Sequence, residues 1–393
     1  MYLYTSVFSA GMRNIVIQMF FDEYYHKNKE TLVSAALFFS SLCTALGIII
    51  SSKRIEKNPD RKAKIRNVAF MTMAVSISFA SMFLVKTYII YILLFGISSF
   101  CINYMYNVFD VFISKSVSEK ERELNIRILL SYQMAGYVAG PLFFSCFAEN
   151  KWLCIAFAIG AQLIGYIAVG TDYINFSESV PSISESAERE IEKYGKDISS
   201  AVAKNDRKAM IYCFFMYCAS NMLMPSIAYL TKDYLNVQKY AVKSSMFLAA
   251  VVIVSSVVIV FAPAAKTWNF RYIPPLSLTV SLALILITKS SNVFLLAFAA
   301  IVSGGGYGMF LSGSRYYVNT AKIKRNLVQR YNKVMTVSTL FGYFISVLTG
   351  WICNVKNMPV VLIQTCLILV FFTAGIFVSF IPDSKQISGH SAA

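Results

Sequence analysis

Long apolar runs recur through the chain near 2–21, 32–51, 68–85, 88–113, 128–147, 152–171, 209–230, 245–263, 272–287, 293–312, 334–355 and 358–381. A bilayer's hydrocarbon core is about 30 Å thick, and about 20 helical residues cross it. Backbone amides in hydrocarbon must be paired within their own segment, so such runs read as membrane-spanning α-helices. No alternation over about ten residues recurs, which argues against a membrane β-barrel. Hydrophobic residues make up 57% of the chain and charged residues 14%, where a soluble domain carries about 25% charge. The expected fold class is therefore an all-α polytopic membrane protein with about 12 transmembrane helices in two six-helix halves. The first run shows no cleavable signal pattern and reads as a retained span.

The formal charge is +16, which on a soluble protein would suggest nucleic acid as a partner. Here the basic residues sit in the loops between apolar runs. Alternate loops near 52–66, 114–127, 172–208, 264–271 and 315–333 hold 25 Lys and Arg, and the opposite loops hold 9. Cytoplasmic loops carry the excess of Lys and Arg. The first set and both termini are thus expected in the cytoplasm, in a multi-pass protein of the inner or plasma membrane. Membrane lipids become the expected partners of this charge, with no role for nucleic acid.

Residues 172–206 interrupt the runs with a Ser- and Glu-rich stretch, SESVPSISESAEREIEKYGKD included. The expected organisation is a half at 1–171, a cytoplasmic linker at 172–206 that includes a short amphipathic helix near 187–203, and a half at 207–393. An offset of 206 residues sets Gly136 against Gly342 and Arg127 against Lys333, a loose sign of repetition. The eight cysteines lie in or beside apolar runs without a CxxC pair, and His26 and His390 are isolated. The cysteines read as small buried hydrophobes, so neither a metal site nor a cofactor is expected.

Polar groups in hydrocarbon are costly and become functional candidates by default. Arg13 lies near the middle of the first run, with Asn14 and Gln18 four residues apart on one face. Its guanidinium could grip a carboxylate or another anion, or pair with a carboxylate such as Asp110. Asn103, Asn107 and Asp110 form a stripe at i, i+4 and i+7 in the fourth run. Asp110 could carry a coupling proton, or pair with Arg122 or Arg127. Tyr217, Ser220 and Asn221 share one side of the seventh run. The tenth holds Ser303, three glycines, Gly308, Ser312, Ser314 and Arg315. No Walker lysine follows these glycines, so close helix packing is the first reading and solute contact the second. The 206-residue offset also brings Asp110 beside Arg315, suggesting a gate between them.

In the fifth run, Gly136-Tyr-Val-Ala-Gly140-Pro141 resembles the Gly-x-x-x-Gly-Pro core of a motif in exporters of the major facilitator superfamily. Arg127 stands where the full motif has an earlier glycine. Gly47 opens what resembles the superfamily's loop between spans two and three, but Ser51 and Ser52 follow where an acidic residue is usual. Resemblance to this superfamily implies that spans one, four, seven and ten line a central cavity. It also implies alternating access around a site near the midplane. The expected activity is secondary active transport of a small solute, proton-coupled and by export, in a monomer. Arg13, Asn14, Gln18, Asn103, Asn107, Tyr217, Asn221 and Ser303 are the substrate-binding candidates. Asp110 and Arg315 are the coupling or gating pair. A non-transporting sensor on the same scaffold is the alternative, followed by a membrane enzyme on lipid-linked substrates. The enzyme reading lacks clustered catalytic groups.

Overall fold

The computed structural model describes residues 29–57, 61–116, 128, 130–136, 139–140, 150, 152–157, 159–160, 205–222, 240–262, 264–287, 293–320, 327–356 and 360–381. All regular structure among them is helical. The helices are α1 (Lys29–Lys57), α2 (Arg61–Met82), α3 (Tyr88–Ser116), α4 (205–222), α5 (Tyr240–Phe261), α6 (Ala264–Asn269), α7 (Ile273–Ile287), α8 (Val293–Thr320), α9 (Leu327–Lys356) and α10 (Val360–Phe380). Apart from α6, they match the second to fourth and seventh to twelfth expected spans. The first span and most of the fifth, the sixth and the linker lie outside the described residues. Five helices among the described residues are long and apolar enough to cross a membrane, and Asn67–Met82, Ala250–Phe261 and Ile273–Leu286 are shorter apolar helices.

Several helices run beyond the spans expected from hydropathy. The fourth expected span ends at 113 and the tenth at 312, whereas α3 reaches Ser116 and α8 reaches Thr320. The apolar run marks only the part in hydrocarbon. The backbone hydrogen-bond ladder continues into the headgroup region, where charged side chains are solvated. The start of the loop expected at 315–333, Arg315 included, is thereby helical. The turn after the eighth span holds the short helix α6, which the sequence reads as loop. Pro274 and Pro275 sit in the first turn of α7, where a missing N–H costs nothing.

Each half is built around one central helix. α3 packs against α1 and α2, and α8 packs against α5, α6 and α7. The second-with-fourth and third-with-fourth pairings thus recur as eighth-with-tenth and ninth-with-tenth. Core side chains include Phe79, Tyr91, Phe95 and Met105 on the first side and Tyr212, Leu282, Phe310 and Phe372 on the second. α9 crosses the seam. It packs on α1 and α3 while keeping contact with α8 and α10. Tyr343 of α9 enters the first half's apolar cluster, and Phe344 meets Phe38 of α1 at 5.8 Å between ring centroids.

The polarity of these helices is inverted relative to a water-soluble bundle. On α1, Leu42, Leu46, Ile49 and Ile50 are exposed while Ser40, Ser41, Thr44, Ser51 and Ser52 are buried. α3 repeats this, with Ile89, Leu93 and Ile97 outward and Ser98, Ser99 and Asn107 inward. Against water this would bury polar groups at a cost and strand apolar surface. Against hydrocarbon it is the favourable arrangement, because small and polar residues tie helices together where lipid supplies no hydrophobic drive.

Candidate functional site

The polar stripe of α3 faces a matching stripe on α1. Ser40 and Ser99 share a hydroxyl hydrogen bond of 2.6 Å. One turn along, Asn103 Nδ2 donates to Thr44 Oγ1 at 3.0 Å and to the Ser99 carbonyl at 2.8 Å. Further along, Asn107 Nδ2 donates to Ser51 Oγ at 2.7 Å and Ser52 Oγ at 3.0 Å, with the Ile48 carbonyl at 3.4 Å. The rungs advance together along both helices, so α1 and α3 run parallel. Between the rungs, Gly47 presses on the α3 backbone, where a methyl group would lie 2.5 Å from the Phe100 carbonyl oxygen. The amide donors of Asn103 and Asn107 are thus engaged in helix packing.

The equivalent pair in the second half, α5 with α8, is joined differently. A methyl at Gly304 would lie 2.5 Å from the Val251 carbonyl oxygen, and one at Gly308 would lie 2.7 Å from that of Ser255. Ser255 Oγ donates to the Gly304 carbonyl at 2.9 Å. These glycines follow the packing reading of the sequence. Gly305 differs, since a methyl there meets nothing within 4 Å. Ser303 points to α7, where its hydroxyl pairs with Ser281 at 2.7 Å.

A second polar cluster joins α4, α8 and α9. The hydroxyl of Tyr217 is hydrogen-bonded to that of Tyr331, and Tyr331 also meets Ser314 Oγ at 3.1 Å. The Arg315 guanidinium lies over the Tyr331 ring, 5.4 Å from its centroid, a cation–π contact. Asn221, one turn beyond Tyr217 on α4, donates to Thr339 Oγ1 at 3.1 Å and to the Tyr217 carbonyl at 2.7 Å. Ser220 Oγ is buried without a hydrogen-bond partner among the described residues. At the near end of α4, Asp206 accepts from Tyr317 at 2.9 Å. Tyr317 stacks on Trp268 at 4.5 Å, and Arg271 lies over the far ring at 5.7 Å.

Tyr217 and Arg315 therefore converge on Tyr331, while Asn103 and Asn107 converge on α1. The two groups meet at α9, because Tyr331 is followed by Asn332, whose Nδ2 donates to Asn107 Oδ1 at 3.1 Å. Asp110 lies on α3 one turn beyond Asn107, with its side chain outside the described residues. Arg13, Asn14 and Gln18 lie outside them altogether, as does Pro141. Gly136 and Gly140 are buried helical residues, and Gly342, set against Gly136 by the repeat, packs on the Cys218 backbone of α4.

The sequence reading passes over Tyr331, Asn332 and Thr44, and it names Ser51 and Ser52 only as a departure from a loop motif, not as partners of Asn107. A signal for Thr44, Ser51 and Ser52 exists. Ser40, Thr44 and Ser51 recur on one face of the second span, as Ser99, Asn103 and Asn107 do on the fourth. Nothing comparable marks Asn332, which stands alone beside charged residues at the edge of its span.

The family model of the Major Facilitator Superfamily matches residues 3–320. The chain belongs to the Major Facilitator Superfamily. It is accordingly a multi-pass membrane protein of a transporter family, with the all-helical fold expected. Among solved structures, the human organic anion transporter MFSD10 (TETRAN) is similar at a TM-score of 0.63 and 10% identity, over 96% of this chain and 99% of its own. At that identity the likeness concerns the fold. No curated protein matches the chain in sequence.

Proposed function

We propose that this Major Facilitator Superfamily member is a secondary active transporter moving a small solute by alternating access. Protons supply the coupling gradient, and export is the favoured direction. The carrying observation is the seam through α9. Two sets of helices with matching internal pairings touch there through α9 on α1 and α3, an arrangement suited to rocking about a site between them. The basic loops favour a plasma-membrane protein with both termini in the cytoplasm. A monomer suffices, since both sets belong to one chain.

Arg13 and Arg315, charged residues in or beside the membrane core, favour a solute bearing a carboxylate or similar anion, and the organic-anion name of the structural neighbour agrees. Arg13, Asn14 and Gln18 would bind it from the first half; Tyr217 and Asn221 would do so from the second, with Ser303 only by giving up its bond to Ser281 on α7. Asn103 and Asn107 would join only by exchanging packing bonds for solute. Thermal stabilisation of the purified protein by a panel of small organic anions tests this. Wild type should be stabilised by at least one compound, and Arg13→Gln should lose that shift while expressing normally. Unchanged stabilisation and flux in Arg13→Gln would remove Arg13 from the site.

The absence of an acidic residue after Gly47 favours, as a second reading, a sensor on the transporter scaffold. Solute binding with no flux in proteoliposomes under an imposed pH gradient would select it.

A further inference from the structure

Asn107 and Asn332 lie 225 positions apart in sequence, one on each side of the seam. Each is 2% exposed. Their bonding is lopsided. Asn107 is anchored in its own half, where Ser51, Ser52 and the Ile48 carbonyl surround its amide nitrogen. That anchorage leaves its Oδ1 turned to α9, where it accepts from Asn332. Among the described residues Asn332 has no comparable anchor. Its own Oδ1 is buried with no hydrogen-bond partner among the described residues. A buried acceptor without a partner is destabilising and relaxes when the group reaches water. The closed arrangement thus holds both a bond across the seam and an incentive to break it.

Asn332 is placed by its neighbour. Tyr331 turns into the second half, where its hydroxyl meets Tyr217 and Ser314 and its ring carries Arg315. Consecutive helical residues point about 100° apart, so the start of α9 is gripped from both sides by adjacent residues. Lys53 and Arg54 of α1 and Arg330 and Lys333 of α9 are exposed at this same end of the bundle. The mouth that closes here is therefore the basic one.

We infer that Asn107 and Asn332 form an uncharged interlock that holds the two halves together at the basic mouth, with Tyr331 as its positioning residue. This rests on the alternating-access reading. The interlock is a single amide hydrogen bond to a firmly held acceptor, so it biases the closed state without locking it. Displacement of Tyr217 or Tyr331 would move the α9 start and release Asn332. Tyr217 is a solute candidate, so the geometry couples occupancy in the second half to the closure of the mouth.

The test is a distance measurement between spin labels at Lys53 and Lys333 in the full-length protein in lipid nanodiscs. Wild type should give two distances, the shorter dominant. Asn332→Ala should raise the long-to-short ratio about three- to tenfold, the worth of one buried amide hydrogen bond. Asn332→Leu, which keeps the size and has no donor in any protonation state, should do the same and covers the case in which alanine fails to fold. Tyr331→Phe should give a smaller rise, and no further rise in an Asn332→Ala background, because positioning matters only while the interlock exists. Two distances with an unchanged ratio in folded Asn332→Ala and Asn332→Leu would overturn the interlock and leave alternating access standing. Additive effects of Tyr331→Phe and Asn332→Ala would overturn the positioning role. A single distance in wild type under every gradient and solute would overturn alternating access itself.

Discussion

Gly308→Val should cost the folded protein about 3 kcal/mol or more, while Gly305→Ala should be neutral or stabilising by up to about 1 kcal/mol. The two positions are three residues apart on one helix and chemically identical. At Gly308 even a methyl would lie 2.7 Å from the Ser255 carbonyl oxygen, and the neighbouring contact with Val258 Cβ is 3.1 Å. A backbone carbonyl cannot swing aside as a flexible side chain can, so α5 must move away from α8. That movement stretches the bond from Ser255 to the Gly304 carbonyl as well. At Gly305 a methyl meets nothing within 4 Å, and alanine gains helix propensity. Thermal midpoints of the two variants in one detergent, read with expression level, check the contrast. Similar midpoints would mean that α5 and α8 are not in backbone contact along this face.

Asn107→Leu is expected to destabilise by about 2–3 kcal/mol, more than Ser99→Ala or Asn103→Leu at about 0.6–1 kcal/mol each. Interhelical hydrogen bonds in membrane proteins are individually small, because a separated helix finds other partners. Asn107 exceeds that average for a countable reason. Its removal leaves the buried hydroxyls of Ser51 and Ser52 without their donor and the Asn332 amide without its acceptor. Among the described residues Asn103 has one interhelical partner, Thr44, and its second bond stays within α3. Melting temperatures of the three variants should rank in this order, with Asn107→Leu several degrees below the others. Equal midpoints would mean that the ladder stabilises through shape rather than through its hydrogen bonds.

The sequence by itself determined that the chain is a bundle of membrane helices. Runs of about 20 apolar residues leave the backbone no option but a helix, and the second to fourth and seventh to twelfth runs fall where the described helices lie. It also determined which faces would be polar, since Asn103 and Asn107 recur at helical spacing. It could not say what those faces meet. An asparagine stripe suits a solute cavity and a helix seam equally well, and the difference depends on whether a partner stripe stands opposite. Ser40, Thr44 and Ser51 supply that partner for α3, through a register that only the packed pair of helices sets. The glycines of α8 show the same limit. Gly305 and Gly308 read alike in sequence, and only the position of α5 makes one a point of backbone contact and leaves the other open. Asn332 is the clearest case. Its importance comes from a residue 225 positions away, brought beside it by the way α9 crosses from one half to the other.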